Sequence, residues 1–285
     1  MNRDYKITGF ADEMANELTV QVAGLKKLGM KYVEMRGVDG DNLIFHSDEK
    51  LGEIKEYLDA NGIKLSALGS PLGKIGITDD FDAHFESFKR AVDIAHQMNC
   101  RNIRMFSFYI PDNQAPSCFE DQVFDKLGKF VDYASANDAV LLHENEKGIY
   151  GEKAKECGKL MDEFYGDHFK AIFDFANFVQ AKENTLDAYR LLKPYIAYLH
   201  IKDARWADGS VVPAGYGDGH VAEILQDLFD SGFDGFLSLE PHLFNFSGFD
   251  LLEKDGKSMQ KSDSRLLTGP EAFELAHASL LKLLK

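Results

Sequence analysis

Basic residues are scarce in this chain of 285 residues: 32 Lys and Arg stand against 47 Asp and Glu, a net charge of −15. Binding a phosphate backbone requires clustered cations, and no basic run is visible, so nucleic acid and anionic lipid are poor partners. Cysteine is nearly as scarce. Cys100, Cys118 and Cys157 are odd in number and widely spaced, and no CxxC pair marks a zinc ribbon or a redox centre. Free thiols in a reducing cytoplasm are expected. No stretch approaches the roughly 20 apolar residues of a membrane span, and the opening MNRDYKITGFADEM has no apolar leader core. A soluble, cytoplasmic protein is therefore expected. With no Ser/Pro-rich linker and no shift in composition, residues 1–285 read as one domain.

What the chain does contain is a rhythm of short apolar runs and amphipathic stretches. Strands are predicted at Tyr5–Phe10, Tyr32–Met35, Ile63–Leu68, Asn102–Phe108, Ala139–His143, Lys170–Phe173, Ile196–Ile201 and Gly235–Leu239. Helices are predicted after them at Asn16–Leu28, Asp48–Ala60, Phe81–Met98, Phe119–Ala136, Lys153–Phe164, Thr185–Leu192, Val221–Phe229 and Pro270–Leu284. The first helix shows the pattern plainly: Leu18, Val22, Leu25 and Leu28 share one face, and Gly29 stops it. The strands lack strict alternation, as expected of a parallel sheet buried on both faces. Eight such units in an uninterrupted chain predict an α/β fold, a single (β/α)8 TIM barrel, with an open doubly wound sheet as the competing arrangement.

Two connections are longer than a compact domain usually needs. They are Gly69–Asp80 after the third strand and Pro241–Thr268 after the eighth. In a barrel both lie on the catalytic rim. The second carries Phe244, Phe246 and Phe249, which suit a cover over substrate, a contact with a second subunit in a homo-oligomer, or a small apolar plug.

The informative residues stand where strands five to eight end: Glu144, Asp174, His200 and Glu240, each just after apolar residues bound for the core. A lone charge beside a barrel interior is costly. Taken singly, each has an ordinary explanation: Asp174 as a loop cap, His200 as a satisfied core histidine, Glu144 and Glu240 as partners of Lys or Arg. Four at consecutive strand ends are better explained together. One divalent metal ion would relieve their repulsion, and a mixed oxygen–nitrogen set suits Mn, Mg, Co or Zn. The lack of thiolates argues against structural zinc.

Several segments together carry a resemblance. They are Gly9-Phe10-Ala11-Asp12-Glu13, Val33-Glu34-Met35-Arg36, Glu144-Asn145, Asp174 with Asn177, His200-Ile201-Lys202-Asp203-Ala204, Gly215-Tyr216-Gly217-Asp218-Gly219 and Leu239-Glu240-Pro241-His242. In order and spacing they resemble the sugar phosphate isomerase/epimerase group of the xylose-isomerase-like barrels, over nearly the whole chain. Asn177 stands near a position where many relatives carry a histidine.

The resemblance implies a metal held by Glu144, Asp174, His200 and Glu240, and a sugar or sugar phosphate as small-molecule substrate. It implies that Glu144 and Glu240 are the catalytic pair, passing protons on opposite faces of the substrate through a metal-stabilised enediolate. Return of the proton from the opposite side is epimerisation; return to the adjacent carbon is aldose–ketose isomerisation. Asn177, Lys202, Arg205 and Glu34 are the expected substrate contacts. Lys202 equally suits an ion pair with Asp203 or Asp174, Glu34 a pair with Arg36, and Arg205 plain solvation. His143 and His242 flank the metal carboxylates, either orienting them or facing away. Gly215–Gly219 suits a phosphate site built from backbone N–H groups, or merely a tight turn.

The same site also fits an inosose dehydratase-type lyase. A non-catalytic carbohydrate-binding barrel is a further alternative. An endonuclease-IV-like activity needs more histidines and a basic groove, which the 9 histidines and the acidic charge disfavour.

Overall fold

A computed structural model describes residues 5–243 and 267–285. Eight strands form one sheet: β1 Lys6–Gly9, β2 Tyr32–Met35, β3 Lys64–Leu68, β4 Asn102–Met105, β5 Val140–Glu144, β6 Phe169–Asp174, β7 Ile196–Ile201 and β8 Phe236–Leu239. Their order across the sheet is β1-β8-β7-β6-β5-β4-β3-β2, and every pairing is parallel. The end strands β1 and β2 lie alongside each other, so the sheet is a nearly closed barrel. This is the predicted (β/α)8 barrel; an open doubly wound sheet would have broken the sequential order.

Helices ring the sheet: α1 Leu18–Lys27, α2 Asp48–Ala60, α3 Phe81–Gln97, α4 Glu120–Ala136, α5 Ala154–Phe164, α6 Phe175–Gln180, α7 Thr185–Leu192, α8 Val221–Asp230 and α9 Gly269–Leu283. Local chemistry starts them. Ser47, Asp80 and Asn184 accept backbone N–H groups at the first turns of α2, α3 and α7. Thr268 and Glu271 close a reciprocal capping box on α9. Each helix turns an apolar stripe to the sheet. Phe88 of α3 and Phe130 of α4 are fully buried, with ring centroids 4.6 Å apart.

The structure departs from expectation in several places. Strand β4 ends at Met105 rather than Phe108, because residues 106–109 leave the barrel to pair with the Gly69–Asp80 connection. That connection is anchored by buried Leu72 and Ile77, and Gly73, with φ +83°, lies where a Cβ would meet the Phe106 carbonyl. Glu144 is the last residue of β5, one position beyond the predicted end. The short helix α6 directly after β6 was not foreseen; its six residues are too few to show a helical period. Phe244, Phe246 and Phe249 lie outside the described residues. None of the helices among the described residues is long and apolar enough to cross a membrane.

Candidate metal centre

Parallel register carries the C-terminal ends of β5 to β8 to one mouth of the barrel. Asp174 pairs with His200 across β6–β7, and Ser238 pairs with His200 across β7–β8. Glu144, Asp174, His200 and Glu240 thereby each offer a ligand atom within 4.8 Å of the others, all buried. The Nδ1 of His200 lies 2.9 Å from Glu144 Oε1, 3.4 Å from Glu240 Oε2 and 3.8 Å from Asp174 Oδ2.

Asp174 does two things at once. Its Oδ1 accepts the Asn177 N–H at 2.8 Å and caps α6, while Oδ2 is buried without a hydrogen bond, 3.2 Å from Lys202 Nζ. Cap and candidate ligand are different oxygens of one carboxylate.

Glu34, expected as a substrate contact or a partner of Arg36, pairs with His200 instead of Arg36: it sits on the far side of the imidazole, 3.2 Å from His200 Nε2, and accepts a hydrogen bond from Ser238 Oγ at 2.6 Å. Behind it runs a buried line of hydroxyls, in which Tyr198 lies 2.9 Å from Ser66 and Ser66 lies 2.7 Å from Thr8. A carboxylate on Nε2 fixes the ring so that Nδ1 faces the other carboxylates. Glu34→Gln should therefore weaken divalent-cation affinity about 10- to 100-fold. Calorimetric titration would show it, and unchanged affinity would refute the orienting role.

Asn177 donates to the Asn145 carbonyl at 2.8 Å and lies 3.4 Å from Glu144 Oε1, so it steadies the end of β5. Lys202 Nζ lies 3.0 Å from Glu240 Oε2 as well as near Asp174, and does not pair with Asp203. Arg205 is exposed on the hairpin formed by residues 203–204 and 211–212, and none of its described contacts reaches the cluster; the expected substrate contact is not supported, and solvation describes it better. His143 is buried against Ser107 at 2.9 Å, away from the carboxylates, whereas His242 Nε2 lies 3.3 Å from Glu240 Oε1.

The glycine run is not an open anion site. Gly215 and Gly217 donate their N–H groups to Asp203 Oδ2, and Gly219 and Ala204 donate theirs to Oδ1, at 2.9–3.0 Å.

Two arginines complete the site: sequence reasoning named Arg36 only within a motif and as a partner for Glu34, and missed Arg104. Arg36 forks onto Asp12 at 2.8 and 3.1 Å and reaches Glu240 at 3.3 Å. Arg104 reaches Glu144 at 3.3 Å. Both guanidinium groups stack on the ring of Phe10, at 4.4 and 4.9 Å from its centroid. Arg104, a charge in the middle of an apolar strand, was the available signal.

The electrostatics favour a cation. Asp12, Glu13, Glu34, Glu144, Asp174 and Glu240 are six buried carboxylates, faced by three lysine and arginine cations, Arg36, Arg104 and Lys202. Burial, joined by Glu240 and Glu144, pushes the Asp174 carboxyl up to about 8, and burial pushes Glu13 up to about 8 too. Burial opposes the charge on Glu144, but His200 and Arg104 overcome it and hold that carboxyl near 2; Lys202 and His242 likewise hold Glu240 well below the usual range. More carboxylates than lysine and arginine cations, so that two hold protons a metal could replace, a mixed oxygen–nitrogen donor set and the unbonded Asp174 Oδ2 fit a divalent metal ion. Glu13, Glu240 and His242 also cluster, but Arg36 lies 3.4 Å from Glu13 and 3.3 Å from Glu240 and supplies the positive charge there.

A cavity of about 530 Å³ opens at the opposite, N-terminal face, lined by Arg101, Asp138, His168, Lys170 and Tyr198 among others. It lies at the wrong end of the strands for the candidate ligands.

The family description "xylose isomerase-like TIM barrel" matches residues 22–262. Solved structures of the same shape include D-psicose 3-epimerase from Clostridium cellulolyticum H10 with D-tagatose, at 16% identity and TM-score 0.74 over 98% of both chains. The probable 3-DHS dehydratase AsbF of Bacillus anthracis is 17% identical, TM-score 0.73, over 98% of this chain and 99% of that one. The IolI protein, solved with a zinc atom, is 16% identical, TM-score 0.73, over 98% of each. At such identities the likeness establishes the fold. In sequence, a stretch of 52 residues is 38% identical to the uncharacterized protein YihM of Escherichia coli (strain K12), spanning 18% of this chain and 16% of that protein.

Proposed function

This chain belongs to the xylose isomerase-like TIM barrel family, and from that premise we propose that it is a single-domain, metal-dependent isomerase or epimerase of a sugar-like substrate, with Glu144 and Glu240 as the proton-transferring pair. The observation that carries the reading is the convergence of Glu144, Asp174, His200 and Glu240 on one buried point at the barrel mouth. These four would hold the cation, which when bound supplies Lewis acidity to substrate oxygens and charge for the carboxylates.

The chain's own groups supply the rest. Glu144 approaches His200 Nδ1 from β5, beyond β6 on one side of β7, and Glu240 from just past β8 on the other, so two carboxylates are available as separate proton carriers. Their lowered values leave an ionised carboxylate to accept the first proton. One removes the proton beside the substrate carbonyl. Return from the other face, by the partner carboxyl in its protonated form, inverts that carbon; return by the first carboxyl of the proton it took, to the next carbon, moves the carbonyl. Lys202, buried between Asp174 and Glu240, offers a cation to a developing oxyanion.

Proton NMR in D2O tests this. Metal-loaded protein with a panel of ketoses should place deuterium on the carbon beside the carbonyl, and a chelator should stop it. Absence of exchange across the panel, with metal still bound, would sink the proposal. A dehydratase stands among the structural neighbours, so a lyase is the second reading. Loss of a hydroxyl signal in the same spectra would select it.

A further inference from the structure

The connection after β7 raises a question that the metal centre does not answer. Five residues, Gly215–Gly219, carry three glycines just before α8. Barrels often bind phosphate near this point, using N–H groups freed by glycine. Here those N–H groups already hold an anion that belongs to the chain. The Asp203 carboxylate is 1% exposed and accepts four backbone N–H groups. The glycines are explained by that carboxylate. A Cβ on Gly217 would lie 2.4 Å from Asp203 Oδ1 and 2.5 Å from the Ala204 carbonyl, and one on Gly219 would lie 2.7 Å from the same Oδ1.

The buried and half-buried cations at the mouth are likewise engaged, and Arg205 on the hairpin is exposed to solvent. Arg36 is paired with Asp12, Glu13 and Glu240; Arg104 with Glu144; Lys202 with Asp174 and Glu240; Lys74 with Glu146 at 3.0 Å. A phosphate dianion arriving there would have to displace a carboxylate and would meet several more.

We infer that Asp203 is a built-in occupant of the position where a phosphate would bind, and that the substrate is an unphosphorylated polyhydroxy carbonyl compound. This rests on the proposed function for the site's location, while the occupancy of the glycine loop stands on its own hydrogen bonds.

Two measurements test it. In the first, inorganic phosphate is titrated by calorimetry, at matched ionic strength, into magnesium-loaded wild type, Asp203→Asn and Asp203→Ala. Asp203→Asn keeps the position filled; Asp203→Ala vacates it. Phosphate bound directly to magnesium would be common to all three. Asp203→Ala should therefore bind phosphate at least tenfold more tightly than the other two. Equal affinity across the three would overturn the assignment of Asp203. In the second, which does not depend on Asp203→Ala folding, deuterium exchange by the wild type is compared for D-fructose, D-psicose and D-tagatose against their 6-phosphates. The free ketoses should be favoured at least tenfold. Equal or faster exchange of the phosphates would overturn the substrate class. Exchange with neither set would count against the proposed function, and the phosphate titration would still decide whether Asp203 fills the loop.

Discussion

Glu240→Gln should lower the exchange of substrate protons by about 10²- to 10⁴-fold at saturating metal, and Glu144→Gln should do the same. Each substitution keeps the side chain's shape and removes its ability to take a proton. The two variants should part company in stability. Arg104 has one described carboxylate partner, Glu144, whereas Arg36 keeps Asp12 and Glu13 when Glu240 is changed. Taking one partner from a buried ion pair costs about 3–5 kcal/mol, because the remaining charge is stranded. The amide oxygen of Gln recovers part of this, so Glu144→Gln should melt below Glu240→Gln. Normal exchange by both variants would remove the glutamates from the chemistry. Equal melting with lost exchange would correct only the account of the arginines.

The second large effect is a reversal of pH dependence by metal. Asp174 and Glu13 are raised to about 8, and His200 is raised well above its ordinary range by Glu144 and Glu34 despite burial. Each binds a proton more readily folded than unfolded, so the stability it contributes is lost as pH rises toward its folded value. His84, His143 and His242 act oppositely: burial lowers each to about 4, so their contribution grows only up to about pH 6.5 and is then constant. Glu144 and Glu240, both lowered, matter only in acid.

Between about pH 6.5 and 8 the raised groups therefore dominate this set. Metal-free protein should lose stability there, by up to about 1.4 kcal/mol per pH unit for each proton released. A divalent cation takes the place of those protons. It should flatten or invert the slope, and at 100 times its Kd should add about 2.7 kcal/mol. Urea unfolding at pH 6.5, 7.25 and 8, with EDTA or with magnesium, reads both effects. A metal-free slope of zero, or one unaltered by magnesium, would contradict the charge arrangement described above.

The strand-end residues were legible because a barrel makes one simple demand: apolar residues along a strand, and a polar one where it emerges. Leu141-Leu142-His143-Glu144 and Tyr198-Leu199-His200 state it openly. Relations across the barrel were not legible. Glu34 and His200 are 166 residues apart, and their contact depends on how the two strands face each other inside the closed sheet. Arg205 adjoins the histidine motif in sequence but lies beyond the strand on an exposed hairpin, while Arg36 and Arg104 come from strands on the other side. The glycine run was readable as an N–H donor. Its acceptor was not, because Asp203 reaches it only after the hairpin folds back.

The hydroxyl column beneath His200 bears on any attempt to engineer this protein. Thr8, Ser66, Tyr198 and Ser238 occupy interior positions that a consensus-minded redesign would fill with valine, leucine or phenylalanine. Such changes would raise the apolar content of the barrel floor while leaving Glu34 without the donors that aim it. Thermostabilised versions made that way should emerge robust yet poor at retaining metal. Variants chosen only for heat tolerance would thus drift toward inert scaffolds.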